Sequence, residues 1–453
     1  MNWHEASHLE ELAARVVALA KASGASDSEC TINEGSEFSA TVRMGEVEQV
    51  KEAGSRGAGV RVLFGKCTGS SYTSDLTDDG LKAMVAQSVA LAKITTEDPF
   101  AGLPDVADFG TLDHGLDLFF NDVEALDAAT KVEMARAAEK AALSLDPRVS
   151  NSEGGSFGSY LGANAFANSR GFSGSYRASN CSLSVVPVVK DGDAMERDYW
   201  YSTARSASKL ESPEDVGRKA AERALRRLNA RSLSTRKSPV IFEPRVAHSL
   251  LSHVFELLHG ESVYRKASIW AGKLGEQVAA PDVTVVDDST IPGLFGSTPF
   301  DDEGVGSRRN ILIDRGVLKS YLLNTYTARK LGLRSTASAS RGLTGNAGIG
   351  HGNLYLESGA LTPEDLMRRM GTGLFVTELM GHGFNAVTGD YSRGAAGLWI
   401  ENGEIAFPVS KVTIAGNLKE MLNQVAAIGN DLEFRGSVAA PTVAIGEMTI
   451  SGQ

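Results

Sequence analysis

The sequence predicts an α+β protein. Residues 1–230 form an N-terminal unit of helices and antiparallel strands with a repeated layout, and residues 239–453 form a strand-rich C-terminal unit. Three observations carry this reading. Apolar residues recur at helical spacing in well-separated stretches. Period-two runs lie side by side with glycine between them. The strands of the second half follow one another without the regular intervening helices of a doubly wound parallel sheet. With 48 glycines against 13 prolines, the chain favours tight turns over disordered linkers.

The chain opens with an amphipathic helix, because Leu9, Leu12, Val16, Leu19 and Ala20 share a face and Gly24 follows as a stop. Between Cys30 and Tyr72 the period becomes two, as in Phe38, Ala40, Val42 and again Val60, Val62, Phe64, which reads as an antiparallel meander. Residues 78–94 return to helical spacing, and beyond Pro99 and Pro104 an alanine-rich helix is expected over residues 122–145. Residues 149–203 are again strand-like and residues 213–228 helical, so helix, strands and helix occur twice without matching residues between the copies. Residues 230–238, polar and carrying Arg231, Arg236 and Lys237, are the expected linker. The second unit begins with a strand at 240–242 and a helix over 245–258, followed by strands at 283–286, 311–313 and 317–322. Its surest hairpin flanks Asn402-Gly403, residues suited to positive φ in a two-residue turn.

Lys and Arg total 45 against 56 Asp and Glu, a net charge of -11, which excludes a general nucleic-acid binder. A composition of 42% hydrophobic and 22% charged residues is that of a soluble globular protein. No apolar run approaches the ~18 residues of a membrane span. Arg15 comes only after Glu5, Glu10 and Glu11, so no secretory signal is read. Cys30, Cys67 and Cys181 are odd in number and contain no CxxC pair, which suggests neither a disulfide framework nor a cysteine zinc site, and a reducing cytoplasm is expected.

Several motifs tempt. HEASH (residues 4–8) spells the zinc motif HExxH, but on the first turn of a terminal helix, without a walled cleft or a third ligand. GGSFG (residues 154–158) matches the nucleophile elbow, yet no helix follows Ser156, so turn chemistry explains it better. His248, His253 and His259 share one helix. His248 and His259 stand about three turns, ~16 Å, apart and His253 is rotated away, so a helix surface is the preferred reading. Asp287, Asp288, Asp301, Asp302 and Glu303 lack the spacing of a calcium loop and are read as solvated strand ends.

Three long blocks carry a resemblance: SVYRKASIWAGKLGEQVAAPDVTVVDD (residues 262–288), SRRNILIDRGVLKSYLLNTYTARKLG (307–332) and TELMGHGFNAVTGDYSRGAAGLWIENGEIAFPVSKVTIAGNLKEML (377–422). With GAGVRVLFGKCTGSSYTSDL (57–76) and Asp98-Pro99, they are similar to the PmbA/TldD family across the chain. In the metal-binding TldD branch, a HExxxH helix supplies two histidines and a catalytic glutamate, with a later cysteine as third ligand. Aligned without gaps on Arg265-Lys266, the His-Glu pair falls on Ser252-His253 and the second histidine on Leu257. His248 and His253 keep the separation of the two histidines, but Ser249 stands where the glutamate would be, and every cysteine precedes residue 182. The chain therefore resembles the branch called PmbA or TldE, which lacks the signature.

The resemblance implies a cytoplasmic, two-domain subunit of a zinc metalloprotease complex that acts on peptides and unfolded proteins. It assigns no catalytic residue, no metal ligand and no cofactor to this chain, and places the zinc in a TldD-like partner. That partner would form a heterodimer with this chain, which alone would form a homodimer; neither direct nucleic-acid binding nor membrane association is expected. Asp390, Tyr391 and Arg393, in the segment from Thr388 to Gly394, are the candidate peptide-groove residues, read as a loop with glycines at both ends. The competing reading is an internal Asp390–Arg393 pair that only stabilises the fold. Two functional alternatives stand beside this one: a peptidase acting unaided, and a regulatory binding protein of the gyrase-modulator type.

Overall fold

The computed structural model describes residues 6–111 and 115–452. Its first half comprises α1 (Ala6–Ala22), β1 (Asp27–Arg43), β2 (Glu46–Phe64), β3 (Cys67–Thr73), α2 (Asp78–Ala92), α3 (Asn121–Ala125), α4 (Ala128–Leu143), β4 (Val149–Asn168), β5 (Ser173–Asp191), β6 (Ala194–Arg197), β7 (Trp200–Ala204) and α5 (Pro213–Leu225). Helix starts follow local chemistry. Thr77, Asp127 and Ser212 each accept a hydrogen bond from a backbone N–H of the first turn, and Pro213 stands where a helix needs no N–H.

The repeated layout does not give two sheets. β1 pairs antiparallel with β4 from Glu29↔Asn168 to Val42↔Gly155, so the copies merge into one seven-stranded sheet in the order β3-β2-β1-β4-β5-β6, with β7 also on β5. Merging joins two strand edges that would otherwise expose their backbone groups. One face of this sheet carries all four longer helices. On β1, Cys30 and Ile32 pack under α1 and α2, while Phe38, Ala40 and Val42 pack under α4 and α5. The period of two sends Glu29 and Thr31 to the opposite face, which meets the second half of the chain.

That half contains β8 (Arg236–Phe242), α6 (Pro244–Leu258), α7 (Gly260–Tyr264), β9 (Val285–Asp288), β10 (Arg309–Asp314), β11 (Val317–Leu318), α8 (Thr325–Leu331), β12 (Ala339–Ser340), β13 (Gly348–Ile349), β14 (Asn353–Leu356), α9 (Pro363–Met370), β15 (Gly373–Met380), β16 (Asp390–Glu401), β17 (Glu404–Asn417), α10 (Leu418–Asn423), β18 (Val425–Ile428), β19 (Val438–Ala439) and β20 (Val443–Ser451). One sheet runs β17-β16-β15-β8-β20-β18 and curls until β17 also pairs with β20; a second runs β11-β10-β9-β14-β19. The last residues of the expected linker, Arg236 and Lys237, already belong to β8, paired with Ile450 and Thr449. Asn402 and Gly403 take φ of 56° and 81° in the β16–β17 turn. The strand expected over 317–322 covers only Val317–Leu318, because the chain then turns inward to bury Tyr321, whose hydroxyl donates to Trp270 O at 2.6 Å. Among the described residues, no helix is long and apolar enough to cross a membrane.

The halves are joined by a buried ion cluster. Glu29, 0% exposed, takes Arg61 Nε at 2.6 Å from its own sheet and the Arg341 guanidinium from the other half. Burial pushes the Glu29 carboxyl up, but Arg341 and Arg61 together hold it below the usual carboxylate range. Beside it, Phe166 and Phe172 of the first half pack with Phe300 of the second, the last two with ring centres 5.0 Å apart. Truncating Glu29 to Ala leaves two guanidinium groups in a closed seam. The expected loss is ~3–5 kcal/mol of unfolding free energy, measured by urea denaturation. A loss under ~1 kcal/mol would show that the cluster does not hold the halves.

Candidate functional site

Helix α6 lies at the centre of the second half. Pro244 opens it, and Val246, Ala247, Leu250, Leu251, Val254, Leu257 and Leu258 are buried, packing against the curled sheet through Phe242 and Val376 and against the other sheet through Val285 and Leu354. Such a helix is held on opposite sides, so side chains at its margins have fixed positions. Among these, His253 is buried rather than on a helix surface as its spacing suggests, because β16 and the segment before it cover it with Tyr391 and Phe384.

Two charged clefts meet at the start of α6. The larger, about 480 Å³, opens between the halves; Glu153, Arg197, Asp198 and Arg227 line it from one side, and Arg245, His248, Ser249, Glu378 and Arg393 from the other. The smaller, about 260 Å³, shares Arg245 and His248 and adds Trp200, Tyr201, Arg223, Glu243 and Arg435. Between them lies a buried network in which Arg223 bonds Glu243 at 2.5 Å and Arg245 reaches Asp198 at 3.4 Å. Burial holds the His248 imidazole below the usual histidine range. Hydrogen bonds to the backbone of Arg245 and Pro244 oppose this shift, and the charges of Arg393 and Arg245 add to it. A neutral imidazole at this seam can both donate and accept a hydrogen bond.

The candidates Asp390, Tyr391 and Arg393 lie on the first residues of β16 rather than in a loop, and the strand's alternation sets Tyr391 and Arg393 on one face and Asp390 on the other. Arg393 faces the cleft and donates to Ser249 Oγ at 3.1 Å. Tyr391 is buried against His253, with the Arg393 guanidinium beside its hydroxyl. Asp390 is exposed, its carboxylate accepting from Thr388 Oγ1 at 2.7 Å and from Asn417. Among the described residues, no Asp390–Arg393 ion pair is formed, so the site retains one cleft residue, one wall and one turn residue.

Other candidates have structural work. Ser156 sits inside β4 beside Thr41 Oγ1, not on a strand-to-helix turn. Asp301 accepts from the N–H groups of Glu303, Val305 and Ala339, and Asp287 from that of Gly352, so these acids are buried acceptors and not solvated strand ends. His4 and Glu5 of HEASH lie outside the described residues. At the HExxxH positions, Ser252 Oγ donates to His248 O and Leu257 is buried in the core, which leaves His253 as the one imidazole. The residues present do not fit that zinc site.

Sequence reasoning missed one grouping. His253 Nδ1 lies 3.2 Å from Glu256 Oε1, and His382 Nε2, from the segment after β15, lies 3.6 Å from the same oxygen. Glu256 is one helical turn from His253, and the MGH run of the third family block was the only visible sign of His382.

A curled sheet wrapped on a buried helix, with charged clefts at the seam, is the fold of a metallopeptidase family. The chain matches PmbA/TldA metallopeptidase domain 1 over residues 29–92, the central domain over 121–228 and the C-terminal domain over 235–452. It is 42% identical over 437 residues to the metalloprotease PmbA of Escherichia coli O157:H7, covering 96% of this chain and 95% of that one. A solved candidate modulator of DNA gyrase from Bacteroides thetaiotaomicron is 27% identical, with a TM-score of 0.90 over 98% of this chain and 99% of that one. TldE from Thermococcus kodakarensis, at 22% identity, shares the fold, with a TM-score of 0.87 over 97% of this chain and 99% of that one. The chain belongs to the PmbA/TldD metallopeptidase family.

The depressed His248 has a consequence for stability. A histidine kept neutral in the fold contributes stability above its unfolded pKa near ~6.5 and loses it as pH falls towards the folded value. Replacing His248 with Gln removes that term. Wild type should therefore lose more unfolding free energy than the variant between about pH 7.5 and about pH 5. Parallel pH profiles would show that His248 does not titrate with folding.

Proposed function

We propose that this chain is a non-catalytic, cytoplasmic subunit of a metal-dependent peptidase complex that lines the passage of a peptide while a HExxxH-bearing sister chain holds the zinc. The observation that carries this reading is the combination on α6. Its signature positions hold Ser252, His253 and Leu257, while the cleft beside it retains Arg393, His248 and Ser249. A guanidinium and a neutral imidazole at the rim can hold an extended peptide through its carbonyl groups or terminal carboxylate. The kinship with PmbA supports the peptidase context, and the TldE fold supports the place of this chain in it.

Co-expression with the sister chain, size-exclusion chromatography and a peptide-cleavage assay test the assignment. One-to-one co-elution with activity exceeding either chain alone is expected, whereas separate elution with full activity in the sister alone would sink it. Within the complex, Arg393→Ala should keep assembly and melting temperature and lower peptide turnover roughly tenfold or more, the worth of one charge-assisted hydrogen bond. Loss of the fold in that variant would instead make Arg393 a structural residue.

A further inference from the structure

His253 and Glu256 are one helical turn apart, but nothing in the spacing of the chain brings His382 to them. Helix α6 sets His253 and Glu256 three residues apart on one face. β15 ends at Met380, and Gly381 and Gly383, with φ of 75° and 60°, turn His382 back over the helix. The turn is tight at Gly383, where a Cβ would stand 1.9 Å from Ser392 O, so the histidine between the glycines is presented by a packed segment. One nitrogen or oxygen from each of the three side chains lies within 4.8 Å of the others.

The spacing suits an ion. Ligands ~2.0–2.1 Å from a tetrahedral zinc stand ~3.3–3.4 Å from one another; Glu256 Oε1 lies 3.2 and 3.6 Å from the two imidazoles, and all three ligand atoms fall within 4.8 Å. His253 is also placed as ligating histidines are. It is 3% exposed, and Phe384 packs on its ring at 4.6 Å between centres. Its Nε2 has no hydrogen-bond partner. The nitrogen that faces the other two ligands is Nδ1, 3.2 Å from Glu256 Oε1, and an ion would take its lone pair there. Glu256 is half-buried and His382 exposed, so the cluster opens to solvent on one side.

We infer that His253, Glu256 and His382 bind one zinc-class divalent ion, at a site that does not use the HExxxH positions. Two imidazoles and one carboxylate favour zinc, cobalt or nickel over calcium or magnesium, which take oxygen ligands. The ion would keep a position for water or for a group from another chain. In the TldD alignment, His253 stands where the catalytic glutamate would be, so the assignment is ion binding without hydrolysis. It holds whether or not the chain works as a peptidase subunit.

The test uses the full chain after chelator treatment and dialysis, titrated with cobalt by visible absorption and with zinc by calorimetry. One ion per chain is expected, with cobalt bands of four-coordinate intensity. His382→Ala, a change at an exposed residue that should spare the fold, and Glu256→Gln should each weaken binding roughly tenfold or more. His351→Ala, outside the cluster, and His4→Ala, in HEASH, should leave it unchanged. The inference is overturned by the absence of saturable one-to-one binding. It is equally overturned if His382→Ala or Glu256→Gln binds like wild type with its melting temperature intact, or if His4→Ala abolishes binding.

Discussion

The Glu29 carboxylate sits between Arg61 and Arg341 with no access to water, and the relation of the two halves depends on it. A buried carboxylate cannot stay ionised without partners, and here one partner comes from each half. The surrounding polar groups fix the geometry further: Arg61 also reaches Asn346, and Arg341 also reaches Thr31, while its N–H is taken by Asp302. Such a cluster adds little net stability compared with an apolar seam of the same shape. What it supplies is one allowed register, because any sliding of the halves strands a charge.

A second ion network holds another part of the same seam. Arg223 and Arg245, with Glu243 and Asp198, tie α5 and the segment before β7 to the start of α6. This network forms the wall common to both clefts, so the cleft geometry follows from how the halves are docked. Arg393 and His248 are held there by the scaffold rather than by flexible loops. A site built on a strand and a helix keeps its groups in place with little entropy left to lose on binding.

Elements governed by local chemistry were legible in the sequence. The stripe of α1, the apolar positions of α6 and the Asn402-Gly403 turn each follow from a short-range period or a backbone preference. What could not be read depends on partners far along the chain. The pairing of β1 with β4 has no local signal, since either copy of the layout could have closed on itself. Asp390 to Gly394 looked like a loop because of its glycines, yet residues 413–417 of β17 pair with it and make it a strand. His382 carried no sign of its destination, because the turn that aims it is held by a hydrogen bond from Ser392 N–H to Gly383 O, across an intervening stretch of chain.

Helix α6 connects these strands of argument. The HExxxH positions that the resemblance lays on this helix fall inside a core lined by two sheets. Leu257 replaces a ligand with core-packing volume, and Ser252 turns its hydroxyl back onto the helix, so two of the three signature positions are absorbed by structure. His253 remains polar and buried at the third, and a polar group is kept in such a place only if something answers it. Glu256, itself within reach of His382, answers the Nδ1 of His253. The region is therefore not plain core. The polar helix margin runs from His248 and Ser249 at the cleft to His253 and Glu256 one to two turns on, with Arg393 bridging to it from β16.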